Sequence, residues 1–155
     1  MNKVIKNKVL FIKEEYADGA GKYTYSKGES YVGNWKNGKF HGKGNYLSAD
    51  GDTIEGEWKE GSLVNGTRQF NNGDKYEGEW KSGYPHGQGT YIHSDGEEYV
   101  GEFERGEING QGINTFPDGD KFVGEFKEGN IWNVKHYDKE GKVTETCVNG
   151  KWINR

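Results

Sequence analysis

The chain has 155 residues, enough for one domain, but only 27 of them are Leu, Ile, Val or Phe, while 26 are Gly and 14% are aromatic. Gly and aromatic residues stand where aliphatic residues normally build core layers, which argues against a large catalytic domain, and two Pro with no three-residue Gly period exclude collagen. A formal net charge of −4, from 21 basic and 25 acidic residues, argues against a dedicated DNA or RNA binder, because neutralising phosphates needs a basic field.

Residues 1–17 scatter lysines among Val9, Leu10, Phe11 and Ile12 instead of grouping them ahead of the apolar stretch. This pattern reads as neither a signal peptide nor a membrane span, so a cytoplasmic protein is expected. The segment is expected to be an N-terminal cap or a partly mobile arm. DGAGKYTYSKG, from Asp18 to Gly28, then opens half of a repeat unit, and KVLFIK reads as the decayed strand before it.

Full units follow. YVGNW begins at Tyr31 and recurs as IEGEW from Ile54, YEGEW from Tyr76, YVGEF from Tyr99 and FVGEF from Phe122, at spacings of 23, 22, 23 and 23 residues. A Gly comes three residues after each closing Trp or Phe, at Gly38, Gly61, Gly83, Gly106 and Gly129. A second segment is clearest in HGKGNY from His41 and HGQGTY from His86, and each unit reaches a turn glycine at Gly51, Gly73, Gly96 or Gly119. Repetition at a fixed period marks a solenoid or array in which each unit touches its neighbours.

These strings resemble the MORN-repeat family, whose units read roughly YxGxWxxGxxHGxGxY. The resemblance is strong from Asp18 to Gly129 and weak beyond. It departs at Val64–Asn65, where one residue is missing before Gly66, at Asn109 and Asn114, which replace the usual His and Tyr, and in the last unit, which lacks the HGxG string. The resemblance implies an adaptor or scaffold, and a preference for acidic phospholipids.

The residues themselves argue for strands. In Tyr76, Gly78 and Trp80 one face is aromatic or Gly, whereas Glu77, Glu79 and Lys81 make the other charged, which is the period of a half-buried strand. Glycines on the aromatic face are read as room for rings of neighbouring strands. A two-residue hairpin at Asn37-Gly38 places Phe40 opposite Trp35, Gly42 opposite Gly33 and Gly44 opposite Tyr31. A three-residue loop ending in Gly51 places Tyr46 opposite Ile54 and keeps the faces unmixed. The expected fold is therefore all-β: a single-layer, twisted antiparallel β-meander solenoid of roughly a dozen short strands. Residues 18–134 form the ribbon of a half unit plus five units, and 135–155 a C-terminal capping hairpin with Val143, Cys147, Val148 and Trp152.

No catalytic constellation emerges, so the chain is not expected to be an enzyme, and no cofactor is expected. His41 and His86 share one repeat position, read as imidazoles bonding to loop backbone, and no Cys/His cluster has metal-ligand spacing. Cys147, the single cysteine, can form no intrachain disulfide. Function is thus assigned to a surface, the aromatic strip of Tyr31, Trp35, Trp58, Tyr76, Trp80, Tyr91, Tyr99 and Phe103, on the premise that curling leaves part of it exposed. The glutamate ladder opposite, including Glu55, Glu57, Glu79, Glu102 and Glu125, is read as solvated. The expected partner is another protein or a second copy, and nucleic acid is not expected. Phospholipid headgroups are an alternative that the net charge disfavours, and glycans are a further alternative.

Overall fold

Turn chemistry dictates the path of the chain. The computed structural model describes residues 18–153, and every regular element among them is a strand. The expectations for residues 1–17, including KVLFIK, lie outside the described residues. The strands are β1 (Gly19–Thr24), β2 (Ser30–Lys36), β3 (Lys39–Leu47), β4 (Thr53–Lys59), β5 (Ser62–Gln69), β6 (Lys75–Lys81), β7 (Tyr84–Ile92), β8 (Glu98–Glu104), β9 (Glu107–Thr115), β10 (Lys121–Lys127), β11 (Asn130–Tyr137), β12 (Val143–Val148) and β13 (Lys151–Ile153). They form one 13-stranded sheet in sequence order, with every neighbouring pair antiparallel, as a solenoid of consecutive hairpins requires.

Two turn types alternate, as expected. Pairs such as Asn37-Gly38 and Ser82-Gly83 have positive φ at both residues, 50° and 73° in the first pair, the geometry whose twist matches that of hairpin strands. The other turns close with two hydrogen bonds: the Ser48 amide donates to the Asp52 carbonyl at 2.9 Å, and the Gly51 amide to the Ser48 carbonyl at 3.1 Å. Tyr46 consequently pairs with Ile54.

One expected register is corrected. Trp35 pairs with Phe40 and Asn34 with His41, but pairing then jumps to Gly33–Gly44 and Tyr31–Tyr46. Gly42 and Lys43 are looped out of the β2–β3 ladder as a two-residue bulge, made possible by Gly42 at φ 60°. A turn fixes register only as far as the next irregularity, and inserting two residues leaves the inward and outward sides unchanged. The same jump occurs in β6–β7 and β8–β9. At the sequence departures in β4–β5 and β10–β11 the bulge shrinks to a single residue, Val64 or Trp132.

The core is a column of rings on one face. Tyr31, Tyr76 and Tyr99 each run over a glycine of the next strand, so a Cβ at Gly44, Gly89 or Gly112 would overlap the hydroxyl end of the ring. This is the room expected of those glycines. Each tyrosine is also met edge-on by the aromatic ring of the following unit: Trp58 at 5.7 Å, Phe103 at 5.0 Å and Phe126 at 5.1 Å. The expected boundary at 134/135 falls inside β11, and Val134 and Cys147, both buried, carry the core into the last hairpins.

Candidate functional site

Seven of the eight residues assigned to the aromatic strip are buried: Tyr31, Trp35, Trp58, Tyr76, Trp80, Tyr99 and Phe103. Tyr91 is half-buried and donates its hydroxyl to Asp74 Oδ2 at 2.8 Å. The premise that the curl of the sheet leaves these rings exposed is therefore corrected, because rings of successive units cover one another. Their polar atoms are used internally as well. The hydroxyls of Tyr31, Tyr76 and Tyr99 donate to the carbonyls of Asn34, Glu79 and Glu102 beside the bulges. Trp58 Nε1 and Trp80 Nε1 donate to the Gly44 and Gly66 carbonyls at 3.1 Å. Burial pushes all three tyrosine hydroxyls up to about 12.

The edge made by the three-residue turns is also closed on itself. Asp52, Asp74, Glu97 and Asp120 each follow a turn glycine, and each meets a different partner on the strand after next: Arg68, Tyr91, Asn114 and His136. Asp52, Asp74 and Asp120 also accept the amides of Asn71, Ser94 and Lys139 in the following turn, at 2.9, 2.9 and 3.0 Å. Pro117 occupies that place after Glu97 and has no amide to offer. Burial opposes ionisation of Asp52, but hydrogen bonds from Arg68 and Asn71 and the Arg68 charge outweigh it and hold its carboxyl below the usual range. Asp74 is held low chiefly by the Tyr91 hydroxyl and the Ser94 amide.

What stays open is the charged face near the two-residue turns. Here the bulges of β7, β9 and β11 line a cleft of about 620 Å³ between His86, Glu102, Glu104, Asn109, Glu125, Lys127 and Trp132. His86 and Glu104 also line a second cleft of about 620 Å³, bounded by Lys81, Tyr84 and Arg105. Tyr84 is 58% exposed. Lys127 Nζ lies 4.8 Å from the centre of the Trp132 ring. Asn109 donates to Glu104 Oε2 at 2.8 Å and Asn133 to Glu125 Oε2 at 2.6 Å, yet none of Glu102, Glu104 and Glu125 has an ion-pair partner among the described residues.

Sequence reasoning missed this cleft because it treated the glutamates as solvated. Glu79 Oε1 instead accepts the Gln88 amide inside a bulge at 3.0 Å, a capping role. The available signal was the HGxG string itself, whose first glycine departs from strand geometry, as at Gly87 with φ 64°. The expected imidazole-to-backbone bond also fails at His41. Its Nδ1 is buried without a partner, whereas Asp18, Asn109 and Asn133 in the equivalent place accept the amides of Asn37, Glu128 and Asn149. Among the described residues no group of three or more His, Cys, Asp or Glu is placed to hold a metal ion, and no helix is long and apolar enough to cross a membrane.

The structure of the wild-type TCP10 domain of Danio rerio CPAP is similar at 15% identity, over 81% of this chain and 70% of that one, with a TM-score of 0.30. No curated protein matches the chain. The family model described as MORN repeat matches residues 16–30, 31–53, 55–75, 76–98 and 99–121. MORN repeats are structural and scaffolding units rather than catalytic domains, and they generally serve protein interaction. With that match over most of its length, and with the hairpin solenoid that carries it, this chain belongs to the MORN-repeat family.

Proposed function

We propose that this protein is a non-catalytic protein–protein interaction module that docks its partner on the cleft of its charged face, across β7–β11, instead of on the aromatic strip. The observation that carries this reading is an imbalance of satisfaction. The rings and the acids of the three-residue-turn edge are spent on internal contacts, while the open cleft presents Glu102, Glu104 and Glu125, none with an ion-pair partner among the described residues, beside exposed Tyr84 and half-buried Trp132. Aromatic anchors in a concave, partly polar site are the usual carriers of binding energy. Glu102, Glu104 and Glu125 stand among Lys127, Lys81 and Arg105 along the two clefts, so no basic cluster favours a phospholipid headgroup there. A cytoplasmic location is part of the same proposal.

The test compares proteins captured by wild type with those captured by Tyr84→Ala, Trp132→Ala and Tyr91→Ala, each first shown to fold. Loss of a captured partner by the Tyr84 and Trp132 variants, with retention by Tyr91→Ala, is expected. The reverse pattern would return the working surface to the aromatic side.

A further inference from the structure

The edge of the three-residue turns carries one arrangement that no other unit shares. Asp120 follows the turn glycine Gly119, and the Lys139 amide donates to its Oδ1 at 3.0 Å, which fixes the carboxylate. Its Oδ2 stands 3.3 Å from His136 Nε2. The imidazole is held further by Phe122, whose ring centre lies 5.0 Å away in an edge contact. At the other ring nitrogen, Nδ1 lies 2.7 Å from Thr144 Oγ1. Arg68, Tyr91 and Asn114, in the place of His136 in the other units, offer no imidazole. His93, 3.9 Å from Asp74 Oδ2, has no hydroxyl bonded to its ring nitrogens among the described residues.

A carboxylate beside Nε2 favours the tautomer with its proton there, which leaves the Nδ1 lone pair to accept the Thr144 hydroxyl. The competing acceptor, the His136 carbonyl, is farther away, at 3.4 Å. Thr144 is exposed, whereas the His136 side chain keeps only 21% of its surface. A reagent can therefore reach the hydroxyl while its base stays mostly covered. Hydroxyl, imidazole and carboxylate in this order make an activated nucleophile. We propose that Thr144 is a covalent modification site, the acceptor of one acyl group from an activated ester or thioester. Thr144 Oγ1 attacks the acyl carbon and gives its proton to His136 Nδ1. The new ester forms as the bond to the leaving group breaks, and the departing alkoxide or thiolate takes the proton from His136. Asp120 is a positioning residue that sets the tautomer. The outcome is a scaffold modified once, without turnover. The site lies on the edge opposite the cleft, so it stands independently of the docking surface.

The test incubates the full chain with p-nitrophenyl acetate and maps the adducts by mass spectrometry. Thr144 is expected to be acetylated at least about 100-fold faster than Thr53, an exposed hydroxyl with no imidazole partner, which is the scale of general-base assistance. His136→Gln, checked for folding by circular dichroism, should lose that advantage while Thr53 keeps its rate. Nitrogen NMR of the wild type should find the His136 ring proton on Nε2. Asp120→Asn, whose amide oxygen can still accept the Lys139 amide, should give a mixture of tautomers. A wild type acetylated no faster at Thr144 than at Thr53 overturns the proposal without recourse to any variant. A full rate retained by His136→Gln, or a ring proton on Nδ1 in the wild type, overturns it equally.

Discussion

The hairpins β2–β3, β6–β7 and β8–β9 carry two-residue bulges, and β4–β5 and β10–β11 carry one-residue bulges, within the same sheet. The first three begin with Tyr31, Tyr76 and Tyr99, and the other two with Ile54 and Phe122. The reason lies in a carbonyl. In the longer bulge the oxygen of Asn34, Glu79 or Glu102 receives the tyrosine hydroxyl at 3.1, 2.9 or 3.2 Å. The shorter bulge has no residue able to make that bond, and at Gly56 it is Leu63, not a tyrosine ring, that packs nearest from the side-chain side. Ring, glycine and bulge length are therefore one device, and a unit that changes one member changes the others.

The most damaging way to break this device is to fill its glycine. Gly89→Val drives a Cβ into the hydroxyl end of the Tyr76 ring, and urea unfolding is expected to show a loss of about 3 kcal/mol. Adding Tyr76→Ala should recover part of that loss. In the short-bulge hairpin the neighbours of Gly66 are the backbone of Glu55 and Gly56, so no side-chain truncation should rescue Gly66→Val. Equal rescue at both sites would dissolve the distinction.

Titration tests the same three rings. Their folded values, up to about 12, lie above the ordinary tyrosine value of 10.0, so the folded state holds these protons more tightly than the unfolded chain. The stabilisation is therefore complete below pH 10 and lost as pH rises from 10 towards 12. Each of the three tyrosines adds to that alkaline loss. Unfolding midpoints measured across this range should fall more steeply for wild type than for Tyr76→Phe, and parallel slopes would mean that Tyr76 does not titrate as part of the fold.

At neutral pH the Tyr76→Phe change removes one hydrogen bond to the Glu79 carbonyl and should cost about 1 to 2 kcal/mol. Phe122→Tyr, in a short-bulge hairpin, should bring no matching gain in thermal stability. A gain there as large as the loss at Tyr76 would separate hydroxyl from bulge length. The smallest effect is expected at His41→Asn. An amide oxygen there should accept a turn amide as Asn109 does from Glu128, raising stability by about 0.5 to 1.5 kcal/mol in chemical denaturation, while a loss would show that the imidazole packing matters more.

The sequence alone was enough for the period, the strands, both turn types and the face on which the rings lie. All of these are local: alternation is read over five residues, and a Gly at a fixed offset marks a left-handed turn. Bulges escaped because Gly42 reads equally as a ring-facing strand glycine and as the hinge of an insertion, and only pairing with both β2 and β4 separates the two. The closed edge of Asp52, Asp74, Glu97 and Asp120 escaped because its partners, Arg68, Tyr91, Asn114 and His136, share a place in space and no chemical type. Above all, the rings expected to form an exposed strip are buried, and the proposed docking surface lies on the other face. Sequence shows that rings recur, but whether they are exposed depends on how closely Trp58 approaches Tyr31 or Phe103 approaches Tyr76 across successive hairpins. That distance is set by the curl of the assembled sheet, to which every bulge contributes and which no single unit encodes.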